Sequence, residues 1–143
     1  MSMRKRIVEE YIDGFRRSDH TQILSCLTDG VVWALHGYKT LEGKDAFDAE
    51  IENEGFEGSP LLRIDRLIED GDTVVCTGGG STVETGRGRR EFVFCEVFTF
   101  TGDAVSRLDT YDVWLDLADS RKEAADRDPD AHVHEPRWLR DHS

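Results

Sequence analysis

One carboxylate lies inside a run of phenylalanines. In Glu91-Phe92-Val93-Phe94-Cys95-Glu96-Val97-Phe98-Thr99-Phe100, strand alternation puts Phe92, Phe94, Glu96, Phe98 and Phe100 on one face and Val93, Cys95, Val97 and Thr99 on the other. Withdrawing an ionised carboxylate from water is costly, so such a group stays protonated, finds a cation or lines a cavity. Glu96 is therefore the first candidate for acid chemistry, and a salt bridge to an arginine of the next strand is the structural alternative. His36 is the second. It precedes Gly37 at a strand end, where an imidazole titrating near neutrality suits a general base at a pocket rim, or simply a hydrogen-bonded turn. Trp33 reads equally as pocket wall or dimer contact. Further on, Arg107, Asp109, Tyr111 and Val113 share one strand face and Ser106, Leu108, Thr110, Asp112 and Trp114 the other. Arg107 can there neutralise Asp109 or Glu96, or merely tie two strands together.

Two other patterns carry less. Gly78-Gly79-Gly80 lacks the Lys-Ser/Thr of a phosphate-binding loop and reads as a widened cavity or a bulge in a strand. His132-Val133-His134, with Asp130 nearby, has a chelating spacing but lies in a polar stretch. No metal is assigned.

The elements that position these residues change period along the chain. Ile7, Val8, Tyr11, Ile12 and Phe15 recur at helical spacing from Met3 to Arg17. Asp19 caps a second short helix carrying Ile23, Leu24 and Leu27, closed at Thr28-Asp29-Gly30. Val31 to His36 reads as a strand, Gly37 to Gly43 as a turn or short excursion, and Lys44 to Glu54 as a helix. From Leu61 the period is two. Leu62 to Glu69, Thr73 to Glu84, Arg89 to Thr101 and Ala104 to Leu115 form a four-stranded antiparallel meander with Gly-containing turns. Helices first and a meander afterwards make an α+β pattern.

Composition bounds the function. The 143 residues suit one domain, over 1–118, followed by a polar tail over 119–143. A formal charge of −12 repels phosphate backbones and anionic membranes, so no nucleic acid and no membrane partner is expected. The basic cluster Arg87-Gly88-Arg89-Arg90 reads as a solvated hairpin. Three widely spaced cysteines suggest reduced thiols in the cytoplasm, and neither a secretory signal nor an apolar membrane span is seen.

The order of elements, with the strings Thr28-Asp29-Gly30-Val31-Val32-Trp33-Ala34-Leu35-His36-Gly37, Leu41-Glu42-Gly43-Lys44-Asp45-Ala46-Phe47 and Val97 to Leu108 running into Tyr111, resembles the nuclear transport factor 2-like superfamily. Within it the likeness is to SnoaL-like and ketosteroid-isomerase-like proteins. The resemblance implies a cone-shaped roll, a curved and mainly antiparallel sheet wrapped around N-terminal helices, enclosing an apolar pocket. Tyr11 then falls on the helix tyrosine of the isomerases and Glu96 on their protonated acid, while the base position falls on Leu35, with His36 beside it. The family register would turn Arg107, Asp109 and Tyr111 into the cone, so either His36 or Asp109 is the base. Trp33, Phe15, Phe94, Phe98, Arg107 and Tyr111 are the expected substrate-binding set. The Arg-x-Asp pair of epoxide-hydrolase-like relatives is replaced by Thr77-Gly78-Gly79-Gly80-Ser81, and Leu108 to Asp112 matches the cyclase stretch loosely.

The expectation is a small-molecule-binding protein doing cofactor-free isomerase, cyclase or dehydratase chemistry by proton transfer on a hydrophobic, polyketide-like or steroid-like carbonyl compound. A non-catalytic binding module of the same fold is the alternative. A homodimer is expected through the convex sheet face, on Val93, Cys95, Val97 and Leu108.

Overall fold

The computed structural model describes residues 2–115. The expected tail and the His132/His134 spacing lie outside the described residues.

Three helices pack on one face of a six-stranded sheet. Helix α1 (Met3–Arg16) starts where the Ser2 side chain accepts a hydrogen bond from the Lys5 amide, and it buries Val8, Tyr11 and Ile12. Helix α2 (His20–Ser25) is capped by Asp19, whose side chain accepts from the Gln22 amide. The two approach closely at Gly14, where a Cβ would meet Ile23 Cγ1 at 2.7 Å. Strands β1 (Leu27–Leu35) and β2 (Lys39–Glu42) form a hairpin, and α3 (Lys44–Ile51) follows. The meander is β3 (Phe56–Asp70), β4 (Thr73–Glu84), β5 (Gly88–Thr101) and β6 (Ala104–Trp114). Sequence periodicity placed the start of β1 four residues late, because Thr28-Asp29-Gly30 reads as a helix stop yet already lies within the strand. It also shortened β3, whose Pro60 is tolerated because β3 is an edge strand.

The sheet runs β2-β1-β6-β5-β4-β3, with every pairing antiparallel except β1 beside β6. Irregular pairing of β3 with β4 falls at the two ends of the glycine run. Both register shifts between β3 and β4 fall on β3, and a Cβ on Gly78 or Gly80 would lie 2.1 Å from the Arg63 carbonyl oxygen or 1.8 Å from that of Leu61. The bulges thus belong to the partner strand, and the glycines admit its backbone rather than widening the cavity.

One irregularity decides which side chains point inward. The hairpin between β5 and β6 pairs Thr101 with Ala104 and Phe100 with Val105, but Thr99 pairs with Arg107, leaving Ser106 as an extra residue. The Ser106 hydroxyl donates to the Thr99 carbonyl at 3.2 Å and accepts from the Thr101 hydroxyl at 2.9 Å. Beyond this bulge Glu96 faces Thr110, and Phe98 faces Leu108. Val105 and Leu108 are therefore both buried despite their odd separation.

The core lies between the helices and the concave face, from Val8 and Ile12 to Val74, Phe98 and Leu108. Phe47 of α3 stacks on Trp33 at 4.1 Å between centroids. His20 holds α3 against α2, its Nδ1 facing Asp48 at 2.6 Å and its Nε2 facing Glu52 at 2.7 Å. These hydrogen bonds, the one His20 makes to Asp48 first, raise the His20 pKa.

Candidate active site

A cavity of about 150 Å³ opens between α1 and the concave face of the sheet. Helix α1 supplies Tyr11, Ile12 and Phe15, strand β1 Trp33 and Leu35, β5 Phe92, Phe94 and Glu96, and β6 Thr110 and Asp112. Pro60 and Leu62 of β3 close one side. The strand period explains the convergence, since Trp33 and Leu35, Phe94 and Glu96, and Thr110 and Asp112 are each two residues apart and so share the inner face. A wider hollow of about 330 Å³ lies beside it, bounded by Leu61, Arg63, Ser81, Glu91 and Leu115. It has no buried acid and no buried tyrosine, so the buried titratable groups concentrate in the smaller cavity.

Glu96 is 8 % exposed and Tyr11 1 %. Burial pushes the Glu96 carboxyl up to about 8, with the Asp112 charge adding to it and the Thr110 hydrogen bond acting against it. The acid is therefore mainly neutral at pH 7. Burial first, and the nearby Glu96 second, also drive the Tyr11 pKa well above its ordinary value. Thr110 joins the polar groups: Trp33 Nε1 donates to its hydroxyl at 2.9 Å, and that hydroxyl donates to Glu96 Oε2 at 2.7 Å. Asp112 is exposed at the mouth, and its contact with the apolar wall on the inner side, by partial desolvation, raises its carboxyl to about 6. Two carboxyl groups of one cavity thus take different protonation states at neutral pH. Asp112 follows Thr110, the partner of Glu96, by two residues, a rise of about 7 Å along the strand.

Of the residues expected from sequence, Tyr11, Phe15, Trp33, Phe94 and Glu96 converge on this cavity. Five others do not. Phe98 is fully buried beneath it, edge-on to Tyr11 at 5.2 Å, and serves the core. Arg107, Asp109 and Tyr111 lie on the outer sheet face, because the Ser106 bulge advances β6 by one residue and brings Thr110, not Asp109, opposite Glu96. His36 lies on that outer side too. Its ring stacks on Tyr111 at 4.3 Å, and Nε2 meets Asp109 Oδ1 at 2.9 Å. Arg107 binds Asp109 with two hydrogen bonds of 3.1 Å, which hold the Asp109 carboxyl below its ordinary pKa, so no ion pair links Arg107 to Glu96. Leu108, expected on the convex face, is a core residue for the same reason. Thr110 and Asp112 are the site residues that sequence reasoning passed over. The signal was present, for Leu108 between charged Arg107 and Asp109 marks the inner phase of β6.

N-terminal helices backing a curved, mainly antiparallel sheet, with a buried acid on its concave face, define an α+β roll. The chain belongs to the SnoaL-like domain family, whose model matches residues 8–108. Among solved structures it is similar to a protein of unknown function from Burkholderia pseudomallei with the nuclear transport factor 2-like fold (22 % identity, 85 % of this chain and 97 % of that chain, TM-score 0.69). It is also similar to an LEH-like epoxide hydrolase of M. tuberculosis (19 % identity, 89 % and 96 % covered, TM-score 0.69). A third is a Catenulispora acidiphila protein of ketosteroid isomerase-like fold, in complex with trimethylamine (11 % identity, 73 % and 83 % covered, TM-score 0.67). At these identities the likeness is one of fold. No curated protein matches the sequence.

Proposed function

We propose that this protein is a cofactor-free proton-transfer enzyme, an isomerase or lyase, acting on a carbonyl compound whose reacting part is a single ring. The observation that carries the reading is geometric, two carboxyls lining one cavity on the concave face with Glu96 buried and Asp112 at the mouth; burial supports it by raising both, to about 8 and about 6. Asp112, largely ionised at pH 7, takes a proton from the carbon next to the carbonyl. The C–H electron pair forms the enolate C=C bond while the carbonyl π pair moves onto oxygen. Tyr11 and neutral Glu96 donate hydrogen bonds to that oxygen, in a site where such bonds gain strength from the exclusion of water. Asp112 then returns the proton to the same or a conjugated carbon, or the enolate expels a leaving group. A spacing of about 7 Å along β6 suits an oxygen held at one carboxyl and an acidic C–H facing the other. A cavity of about 150 Å³ holds one six-membered ring, so a steroid-like or polyketide-like compound would leave its remaining rings at the mouth.

The test is deuterium exchange in D2O, read by NMR, into the α-positions of one-ring ketones and enones. Enzyme-dependent exchange is expected. Saturable binding of these compounds without exchange supports the alternative, a binding module without turnover, and neither binding nor exchange across the panel removes the pocket reading altogether.

We also propose a homodimer through the outer face of β5 and β6. There Val93, Cys95 and Val97 are only partly covered, and Tyr111 and Val113 are exposed. Light scattering is expected to give twice the 16.3 kDa chain mass. A monomer at micromolar concentration excludes it.

A further inference from the structure

Thr110 has one hydroxyl hydrogen and two polar neighbours. The indole N–H of Trp33 can only donate, so the Thr110 oxygen accepts from it. Among the described residues the Thr110 hydrogen has a single acceptor, Glu96 Oε2 at 2.7 Å. A proton on Oε2 would point at the Thr110 oxygen and drive that hydroxyl hydrogen away from its one acceptor. A buried donor left unpaired costs about 1–3 kcal/mol. The acid proton of Glu96 therefore sits on Oε1.

Oε1 takes no hydrogen bond from any described residue, and neither does the Tyr11 hydroxyl, while no side-chain polar atom shut away from solvent lacks a partner among the described residues. Both atoms thus reach the cavity surface. The groups around Glu96 leave this direction undisturbed. Cys76, opposite it on β4, is pushed up to about 12 by burial and is a neutral thiol; Tyr11 on α1 is neutral; Asp112 lies at the mouth. Arg16, farther along α1, donates to the Leu62 carbonyl at 3.0 Å.

We propose that Thr110, held by Trp33, is a positioning residue that turns the Glu96 acid proton into the cavity, making its deep end a pair of donors that selects a one-ring ligand presenting an acceptor oxygen, a ketone or a phenolate, over one presenting a donor. This deepens the pocket reading above and rests on it for the ligand, but not for the proton's position.

The experiment follows the Glu96 carboxyl by NMR with 13C-labelled glutamate, in wild type, Thr110→Val, Thr110→Ser and the double variant Trp33→Phe/Thr110→Val. Losing the Thr110 donor withdraws support from the carboxylate, so Thr110→Val should raise the Glu96 pKa by about one pH unit, and Thr110→Ser should restore it. The double variant removes both partners and leaves no orphaned indole, so it should fold and show the same rise. Calorimetry with 4-chlorophenol and 4-chloroaniline reads the selection: wild type should prefer the phenol by about tenfold or more, and Thr110→Val should lose most of that ratio. An unchanged or lowered Glu96 pKa in both valine variants, a serine variant that fails to restore it, or an undiminished phenol preference overturns the proposal. If the pKa values move as expected but neither compound binds and no exchange occurs, the proton placement stands and the pocket function fails.

Discussion

Leu35 and His36 are consecutive in the chain and lie on opposite sides of the sheet: Leu35 lines the cavity, while His36 stacks on Tyr111 outside it. His36→Ala is therefore expected to leave α-proton exchange at the wild-type rate. Thermal melts should show only a small loss of stability, since the side chain is 41 % exposed. A large fall in the exchange rate would bring His36 back into the pocket chemistry.

Asp112→Asn keeps the shape of the mouth and removes the proposed base. Exchange should fall by about 100-fold or more, the usual worth of a positioned acid or base. In wild type the rate should rise with pH through about 6, as the carboxylate that accepts the proton is formed. A pH profile with no limb in that region would assign the base elsewhere.

Glu96→Gln separates titration from shape. The folded protein binds a proton at Glu96 up to about pH 8, whereas the unfolded chain releases it near the ordinary value of 4.5. Its contribution to stability is whole below pH 4.5 and is lost as pH rises toward 8, at about 1.4 kcal/mol per pH unit within that window. Asp112 adds a slope of the same sign up to about 6, common to both proteins. Urea unfolding at pH 5 and pH 8 should therefore show the variant gaining on wild type at the higher pH. The opposite trend would mean an ionised Glu96 with a cationic partner.

Phe98→Ala should cost about 3–5 kcal/mol, because Phe98 is fully buried and packs edge-on to Tyr11 where neighbouring strands cannot collapse inward. Tilting of Tyr11 into the space should weaken ligand binding too. Chemical denaturation reads the first effect and calorimetry the second, and a cost under 1 kcal/mol would place Phe98 outside the core.

The meander was legible in sequence because alternation and Gly-containing turns act over a few residues, and Glu96 stood out because its neighbours on the same face are phenylalanines. The site's second half was hidden by one residue. A plain two-residue turn at Gly102-Asp103, continued without interruption, would set Glu96 opposite Asp109 with Arg107 close by. Ser106 breaks that count, and alternation alone cannot show it because the bulge is held by hydroxyl contacts with Thr99 and Thr101. Its traces were Leu108 lying between charged Arg107 and Asp109, and the conflict between Val105 and Leu108, both apolar at odd separation. The convergence of Trp33 with Thr110 was beyond local reading, for the two are 77 residues apart and meet only through a parallel pairing.

That parallel seam between β1 and β6 also sets an order of events in time. During synthesis α1, α2 and β1 emerge long before β6, so β1 waits with its central edge unsatisfied until the last hairpin is complete. Closing so long a loop is entropically expensive and slow compared with zipping the meander hairpins. The slowest step of folding should therefore be the docking of β1, and the same step brings the Trp33 indole to Thr110. Ligand-binding competence should appear with the final kinetic phase rather than with the early formation of the sheet, and the nascent chain is most open to aggregation and chaperone capture in the interval before it.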